Sequence, residues 1–76
     1  MMQFYNVILN MRGAGKVKNP HFSWVVVAKN KTNAIGLVVR KLNSYHKKPK
    51  FWIDDFIAME LMDPDDYFNE EILNLW

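Results

Sequence analysis

Cysteine is absent from this chain, and its absence excludes two kinds of site. Neither a disulfide framework nor a thiolate metal centre can form, which fits the reducing conditions of the cytoplasm. No apolar run approaches the ~20 residues that a transmembrane helix requires, and the N-terminus lacks the basic start of a signal peptide. We therefore expect a cytoplasmic protein that has no membrane contact and no disulfide.

Each part of the chain also lacks charge of one sign. Residues 1–50, termed the basic segment, contain all ten Lys and Arg and neither Asp nor Glu. Residues 51–76, termed the acidic segment, contain all eight Asp and Glu and neither Lys nor Arg. Such asymmetry predicts charged partners, or attraction between the two segments of the chain itself.

The residues that are present favour one small folded domain over residues 1–76. Half of the 76 residues are hydrophobic, which is too apolar for a disordered chain. A chain of this length buries only ~60% of the surface that it exposes when unfolded. Each core residue therefore contributes a large share of the stability.

Alternation of apolar and polar residues predicts strands over residues 3–12, 22–29 and 56–62. Asn30 is a good N-cap, and apolar residues at helical spacing from Ala34 to Tyr45 predict a helix that begins at Lys31. The predicted core of this strand–helix unit contains six residues, namely Trp24, Val26, Ala28, Ile35, Val38 and Leu42.

A second helix is predicted at the C-terminus. Residues 63–66, Asp-Pro-Asp-Asp, are typical of a helix start, and Phe68, Ile72 and Leu75 follow at helical spacing. The predicted element order is β-β-α-β-α. This is an α+β fold in which one helix packs on a three-stranded antiparallel sheet and a short C-terminal helix follows.

The junction between the second strand and the first helix resembles one found in small phage and mobile-element proteins. There, a strand ends in an inward Ala, a polar N-cap follows, and the first inward helical residue is another Ala. The matching residues here are Val26, Ala28, Asn30, Ala34 and Ile35. Several phage inhibitors with a ββαβ core look like this, among them inhibitors of host RNA polymerase and some anti-CRISPR proteins. The resemblance implies a non-enzymatic binder that occupies the surface of a host protein or nucleoprotein machine in the host cytoplasm.

The sequence gives little support for catalysis. Asp54 and Asp55 are adjacent, so in a strand they would point to opposite faces rather than act as a pair. His21 and His46 have no spacing typical of a metal site, and Ser23 and Ser44 lie in no nucleophile motif. We predict no enzymatic activity, no cofactor and no metal.

The connection between the first two strands is basic and contains Gly13 and Gly15. We expect a mobile loop that presents Arg12, Lys16 and Lys18 to a partner. Its Arg-Gly-Ala-Gly-Lys sequence is shorter than a Walker motif and has no Ser or Thr after the lysine. A nucleotide site is therefore not predicted here.

The segment from Tyr45 to Trp52 is the best candidate for contact with nucleic acid. Its lysines would contact phosphates and its aromatic rings would stack on bases. The simpler interpretation, favoured from the sequence alone, is a solvated helix end with Phe51 and Trp52 in the core. The whole basic surface predicted to contact a host protein or nucleic acid contains Arg12, Lys16, Lys18, Lys29, Lys31, Arg40, Lys41, Lys47, Lys48 and Lys50. Two of these, Lys29 and Lys31, flank a helix start where an acid would be expected, which also points to a functional role.

Two further surfaces leave alternatives open. The acidic segment would imitate nucleic acid, simply face water, or neutralise the basic segment within the monomer. The sheet face opposite the first helix carries Phe4, Ile8, Val25 and Val27, and large exposed apolar patches mark interfaces. Either Trp52 or the C-terminal helix covers this face, or a partner or second copy does so, which would make the protein a homodimer or an assembly subunit.

Overall fold

The structure, a computed structural model, describes residues 2–18, 23–61 and 70–73, and an antiparallel sheet is its central element. The strands are β1 (Gln3–Leu9), β2 (Ser23–Ala28), β3 (Phe56–Glu60) and β4 (Glu71–Ile72). The helices are α1 (Met11–Ala14) and α2 (Lys31–Asn43), and a 3-10 turn (Ile53–Asp55) leads into β3. The strands form one sheet in the order β3-β1-β2-β4, so the chain is a small α+β protein as predicted.

Strand β1 lies between β2 and β3 and sets the register of the sheet. On one side of β1, Tyr5 pairs with Val26 and Val7 pairs with Trp24, both in β2. On the other side, Val7 pairs with Ala58 of β3. Because side chains alternate along a strand, these residues share one face, and α2 packs on it. The buried core cluster contains Tyr5, Val7, Leu9, Trp24, Val26, Ala28, Ala34, Ile35, Val38, Leu42, Phe51, Phe56 and Ala58.

Helix α2 begins at the residue predicted from the sequence. The Asn30 side chain caps it by accepting the N–H of Asn33 at 2.8 Å. All six predicted core residues of the strand–helix unit are buried, which confirms that prediction. The helix ends at Asn43, so Tyr45 lies beyond it and is 65% exposed rather than part of the apolar stripe.

Two predictions about the remaining elements are wrong. The connection after β1 begins as helix α1 rather than as an open loop, because Asn10 caps it by accepting the N–H of Gly13 at 3.0 Å. Residues Glu71 and Ile72 form a fourth strand instead of part of a C-terminal helix. They complete the outer edge of β2, where the N–H of Leu73 donates to the carbonyl oxygen of Val25 at 2.7 Å.

Several predicted features lie outside the described residues. These are His21, the strand start at Phe22, the helix start at residues 63–66, Phe68, Leu75 and Trp76. Within residues 2–18, 23–61 and 70–73, no helix is long and apolar enough to cross a membrane.

Candidate nucleic-acid interface

A cleft of about 270 Å³ lies where the chain after α1 meets the chain after α2. Two basic stretches that are about thirty residues apart in the sequence form its walls. Lys16 and Lys18 come from the first stretch and Tyr45, His46 and Lys50 come from the second. We term this site the basic cleft; its full lining is Lys16, Val17, Lys18, Trp24, Leu42, Tyr45, His46, Lys50 and Phe51.

The first wall depends on a glycine at position 13. A Cβ atom there would lie 2.3 Å from the carbonyl oxygen of Asp55 and 2.7 Å from Cδ2 of Leu9. Only glycine lets α1 pack this closely against the turn before β3. The N–H of Lys16 then donates to the carbonyl oxygen of Gly13 at 3.0 Å, which directs the chain toward the cleft.

Asp55 fixes this wall to the rest of the protein. Its side chain is fully buried, and Oδ2 accepts a hydrogen bond from Lys16 Nζ at 2.6 Å and from the N–H of Trp52 at 2.9 Å. Arg12 Nε lies 3.0 Å from Oδ1, but the contact is an ion pair without hydrogen-bond alignment. We term Asp55, Arg12, Lys16 and the Trp52 N–H the Asp55 anchor.

Two opposing effects act on the pKa of Asp55. Burial raises it, because a buried carboxylate loses its hydration. The hydrogen bonds from Lys16 and Trp52 and the positive charges of Lys16 and Arg12 lower it, and together they outweigh burial. The pKa of Asp55 is therefore below its ordinary value, and the carboxylate is charged at neutral pH.

The second wall is fixed by the last residue of α2. Asn43 Oδ1 accepts the N–H of Lys50 at 2.9 Å and the N–H of Phe51 at 2.8 Å, while its Nδ2 donates to the carbonyl oxygen of Phe51 at 3.0 Å. Lys16 joins the two walls directly, since its Nζ also donates to the carbonyl oxygen of Lys50 at 2.9 Å. Residues 44–49 are thus held as a closed loop over the end of the helix.

The aromatic residues of the cleft divide into buried and accessible rings. Phe51 and Trp24 are buried, so the predicted core position of Phe51 is confirmed, whereas Trp52 is 52% exposed and that part of the prediction is wrong. Tyr45 and His46 are exposed at the rim. Lys41 Nζ lies 5.6 Å from the ring centroid of Tyr45, which adds positive charge beside an accessible ring.

The predicted basic residues separate into four groups. Lys18, Lys47, Lys48 and Lys50 are exposed at or next to the cleft, and none forms an ion pair with a described carboxylate. Arg12 and Lys16 belong to the Asp55 anchor. Arg40 and Lys41 line a neighbouring groove of about 420 Å³ with Leu37, Ser44 and Ile72, whereas Lys29 and Lys31 lie at the opposite end of α2.

The helix start at Lys29 and Lys31 has an internal explanation. Glu70 Oε2 accepts the N–H of Lys29 at 2.8 Å and the side-chain amide of Asn33 at 3.0 Å. These hydrogen bonds and the charge of Lys29 lower the pKa of Glu70 below its ordinary value, against a smaller effect of burial. The acid expected at this helix start is therefore supplied from the acidic segment.

The candidate apolar face lies opposite α2. Phe4 pairs with Val27, Ile8 pairs with Ser23, and Val25 pairs with Asn6, so these residues alternate with the core positions. Val27 is fully buried, while Phe4, Ile8 and Val25 are partly buried. Among the acids, Asp54, Glu60 and Glu71 are exposed, and Asp63, Asp65 and Asp66 lie outside the described residues.

Reasoning from the sequence missed Asp55, Asn43 and Glu70 as positioning residues. Asp54 and Asp55 lie in the 3-10 turn rather than in a strand, with Asp54 exposed and Asp55 buried. Asp55 contacts Lys16 and Glu70 contacts Lys29, each about forty residues away, so no local pattern marks them. The segregation of charge is the one sequence signal that points to such contacts.

Comparison with protein-family models, with curated proteins and with solved structures found no match to this chain. In the part of the chain that the structure describes, no group of three or more His, Asp or Glu side chains is placed to hold a metal ion. The geometry of the basic cleft is therefore the main indication of function.

Proposed function

We propose that this protein is a non-enzymatic binding module that holds a single-stranded segment of nucleic acid in the basic cleft. The observation that carries the proposal is the meeting of two basic stretches around accessible aromatic rings. Lysines contact phosphates, and exposed rings stack on bases whatever their sequence. Lys18, Lys47, Lys48 and Lys50 are the phosphate contacts, and Tyr45 is the stacking residue.

The electrostatics support an anionic ligand at this end of the molecule. Asp55 is the one buried charged group among the described residues, and Lys16 and Arg12 already neutralise it. The exposed lysines around the cleft keep their charge uncompensated by any described carboxylate. A phosphate chain would supply the missing negative charge and release counterions on binding.

The size of the cleft favours a single strand over a duplex. A volume of about 270 Å³ admits a base but not the side of a double helix. Tyr45 is exposed at the rim, and stacking on it requires a base that is not already paired and stacked. Sequence preference is expected to be weak, because stacking and phosphate contacts carry little sequence information.

The resemblance to phage inhibitors suggests where such a strand would be presented. A CRISPR effector or an RNA polymerase displays single-stranded nucleic acid within a host nucleoprotein machine. Occupation of that strand by this protein would block the machine without chemistry. The proposal that the strand belongs to a host machine rests on the strand-to-helix junction at Ala28, Asn30 and Ala34. Binding of a free single strand in the cleft does not depend on that resemblance.

Titration of fluorescent single-stranded DNA and RNA of roughly ten nucleotides, over a range of salt concentrations, tests the proposal. The double variant Lys18→Ala/Lys50→Ala should lower the slope of log affinity against log salt by ~1.4, or ~0.7 for each phosphate contact. The double variant Lys29→Ala/Lys31→Ala removes the same charge at the other end of α2 and is the matched control. Absence of binding at low salt, or an equal loss in both variants, would overturn the proposal.

Substitution of Tyr45 tests the stacking contact separately. Tyr45→Ala should weaken binding by roughly tenfold, within the range reported for base stacking, whereas Tyr45→Phe keeps the ring and should bind almost as well as the wild type. A similar loss in both variants would show that the hydroxyl group, not the ring, contacts the ligand. Equal affinity of all three proteins would remove Tyr45 from the interface.

A further inference from the structure

Strand β3 has an unpaired edge in the described sheet. Its inner edge pairs with β1, and no described strand lies on its outer side. Two backbone hydrogen bonds mark the ends of the β1–β3 pairing. The N–H of Leu61 donates to the carbonyl oxygen of Phe4, and the N–H of Asn10 donates to the carbonyl oxygen of Asp55. Because antiparallel pairs alternate, residues 57 and 59 also bond to β1. The N–H and C=O groups of residues 56, 58 and 60 therefore point to the outer edge.

Exposed apolar side chains are concentrated around this edge. The described residues include eight exposed large hydrophobic residues, and five of them lie within residues 52–61. An edge strand with apolar side chains and no Lys, Pro or bulge is a template for another strand. The five residues are Trp52, Ile53, Ile57, Met59 and Leu61.

We propose that a second copy of this chain docks on β3 by antiparallel pairing about a two-fold axis at Ala58. In this register Ala58 faces the partner's Ala58, Ile57 faces the partner's Met59, and Phe56 faces the partner's Glu60. The outward-pointing residues 56, 58 and 60 of one copy then pair with the same three residues of the other copy. Every outward N–H and C=O group of the strand therefore obtains a hydrogen-bond partner. The two sheets become one continuous sheet of eight strands.

The side chains on the face opposite α2 are self-complementary in this register. Ile57 and Met59 are each about half exposed in the monomer, at 48% and 45%. Pairing about Ala58 brings both residues of one copy against both residues of the other. Cross-strand apolar pairs of this kind are the unit that stabilises a sheet. The apolar patch formed by these residues also lies next to Ile8 of β1, which pairs with Ile57 of β3.

Charge supports a second copy as the occupant. Glu60 stands at one end of β3, and the other end carries Asp54 and Asp55 together with Arg12 and Lys16 of the Asp55 anchor. Antiparallel pairing places Glu60 of each copy next to that end of its partner. The two cations there balance the two acids, so Glu60 of each copy lies next to an end without net charge and apart from the partner's Glu60.

The mass of the protein as a function of concentration tests this inference independently of the proposed function. Light scattering should show the mass rise from 9.0 kDa toward twice that value as the concentration increases. Ile57→Lys places a charge in the joint and should keep the protein monomeric. Leu73→Lys places the same charge on an exposed apolar residue at the opposite edge of the sheet, just after β4, and should dimerise like the wild type. A wild type that stays monomeric throughout would overturn the inference.

Cross-linking tests the register and does not depend on the lysine variant. The chain has no cysteine, so Ile57→Cys and Met59→Cys each carry a single thiol. A mixture of the two should form disulfides much faster than either variant alone, because facing residues in a non-hydrogen-bonded pair have Cα atoms ~4.5 Å apart, within disulfide range. Equal cross-linking in the mixture and in either single variant, or none at all, would contradict the proposed pairing.

Discussion

Helices α1 and α2 are each capped by an asparagine that comes one or two residues after a strand, and in both the asparagine side chain accepts the N–H of the residue three positions later. Neither helix has an acid in its first turn. The acidic segment supplies one to each, Asp55 to α1 and Glu70 to α2. The two acids differ in burial and partners, because Asp55 is fully buried between two cations whereas Glu70 is partly exposed and accepts from amides.

The acids of the acidic segment therefore have two different roles in the folded protein. Glu70 compensates a helix start, which is a local and modest effect. Asp55 holds the short helix α1 against the turn before β3 and directs Lys16 to the second wall of the basic cleft. The acidic segment therefore organises the basic surface and leaves the lysines around the cleft available to a ligand.

Removal of the Asp55 side chain is expected to have the largest effect on stability. Asp55→Ala leaves the N–H of Trp52 without a partner and Lys16 with only the carbonyl oxygen of Lys50, and it should cost about 3 kcal/mol, as expected for a broken buried ion pair. That is a large share of the total for a domain of this size. Urea unfolding at neutral pH measures the change, and Asp54→Ala, at the exposed neighbour, is the control. Equal stability of the two variants would show that Asp55 is no anchor.

Substitution of Gly13 tests the same anchor through packing. Gly13→Ala places a Cβ 2.3 Å from the carbonyl oxygen of Asp55 and should cost about 2 kcal/mol, because the backbone of α1 must move away. Gly36→Ala is the matched control, since a Cβ at Gly36 has no atom within 4 Å and should stabilise α2 by about 0.5 kcal/mol. Thermal unfolding should therefore shift in opposite directions. A shift in the same direction would contradict the described contact of α1.

Acid should weaken the Asp55 anchor before it disrupts the core. The pKa of Asp55 is lowered by folding, so its stabilising contribution is complete above the unfolded-state pKa of about 4. This contribution is lost as the pH falls below that value through the folded-state pKa. The difference in unfolding free energy between the wild type and Asp55→Asn should therefore shrink as the pH falls from neutral into this range. A difference that stays constant with pH would indicate that the carboxylate charge contributes nothing.

Glu70→Gln should have the smallest effect of these changes. Glutamine keeps an oxygen that accepts the N–H of Lys29, so only the charge at the start of α2 is lost, at a cost of about 0.5 kcal/mol. Chemical unfolding measures the change against Glu71→Gln, a neighbouring exposed acid. If Glu70→Gln costs as much as Asp55→Ala, the contributions of the two acids do not differ as their burial indicates.

Periodicity predicted the elements that bury a continuous apolar face. Strands β1, β2 and β3 and helix α2 are present, because Trp24, Val26 and Val38 leave little choice of face. The predicted end of β1 at Arg12 is wrong, since the strand ends at Leu9 and α1 begins at Met11. Helix α1 was missed since it depends on the distant contact of Gly13 with Asp55. Strand β4 was missed because its two residues are strand only through pairing with β2, while the local Asp-Pro signal favoured a helix.

The candidate site was predicted in pieces. The stretches that carry Lys16, Lys18 and Lys50 were identified as candidate contacts from charge and aromatic composition. Their meeting in one cleft was not predictable, because it depends on the hydrogen bond from Lys16 to the carbonyl oxygen of Lys50 and on the bonds that Asn43 forms across the loop. Lys29 and Lys31 were predicted to contact a partner because the start of α2 lacks the acid expected there. Glu70 of the acidic segment supplies that acid.

Titration of isotope-labelled protein with a short single-stranded oligonucleotide at low salt, followed by amide chemical shifts, tests the central claim most directly. The account predicts that shifts concentrate at residues 16–18 and 45–51, the two walls of the basic cleft, with little change at Lys29 and Lys31. The same titration of Asp55→Asn should show weaker and less localised changes. Shifts confined to α2's first turn or to β3, or no shifts at all, would contradict the assignment of the basic cleft as the binding site.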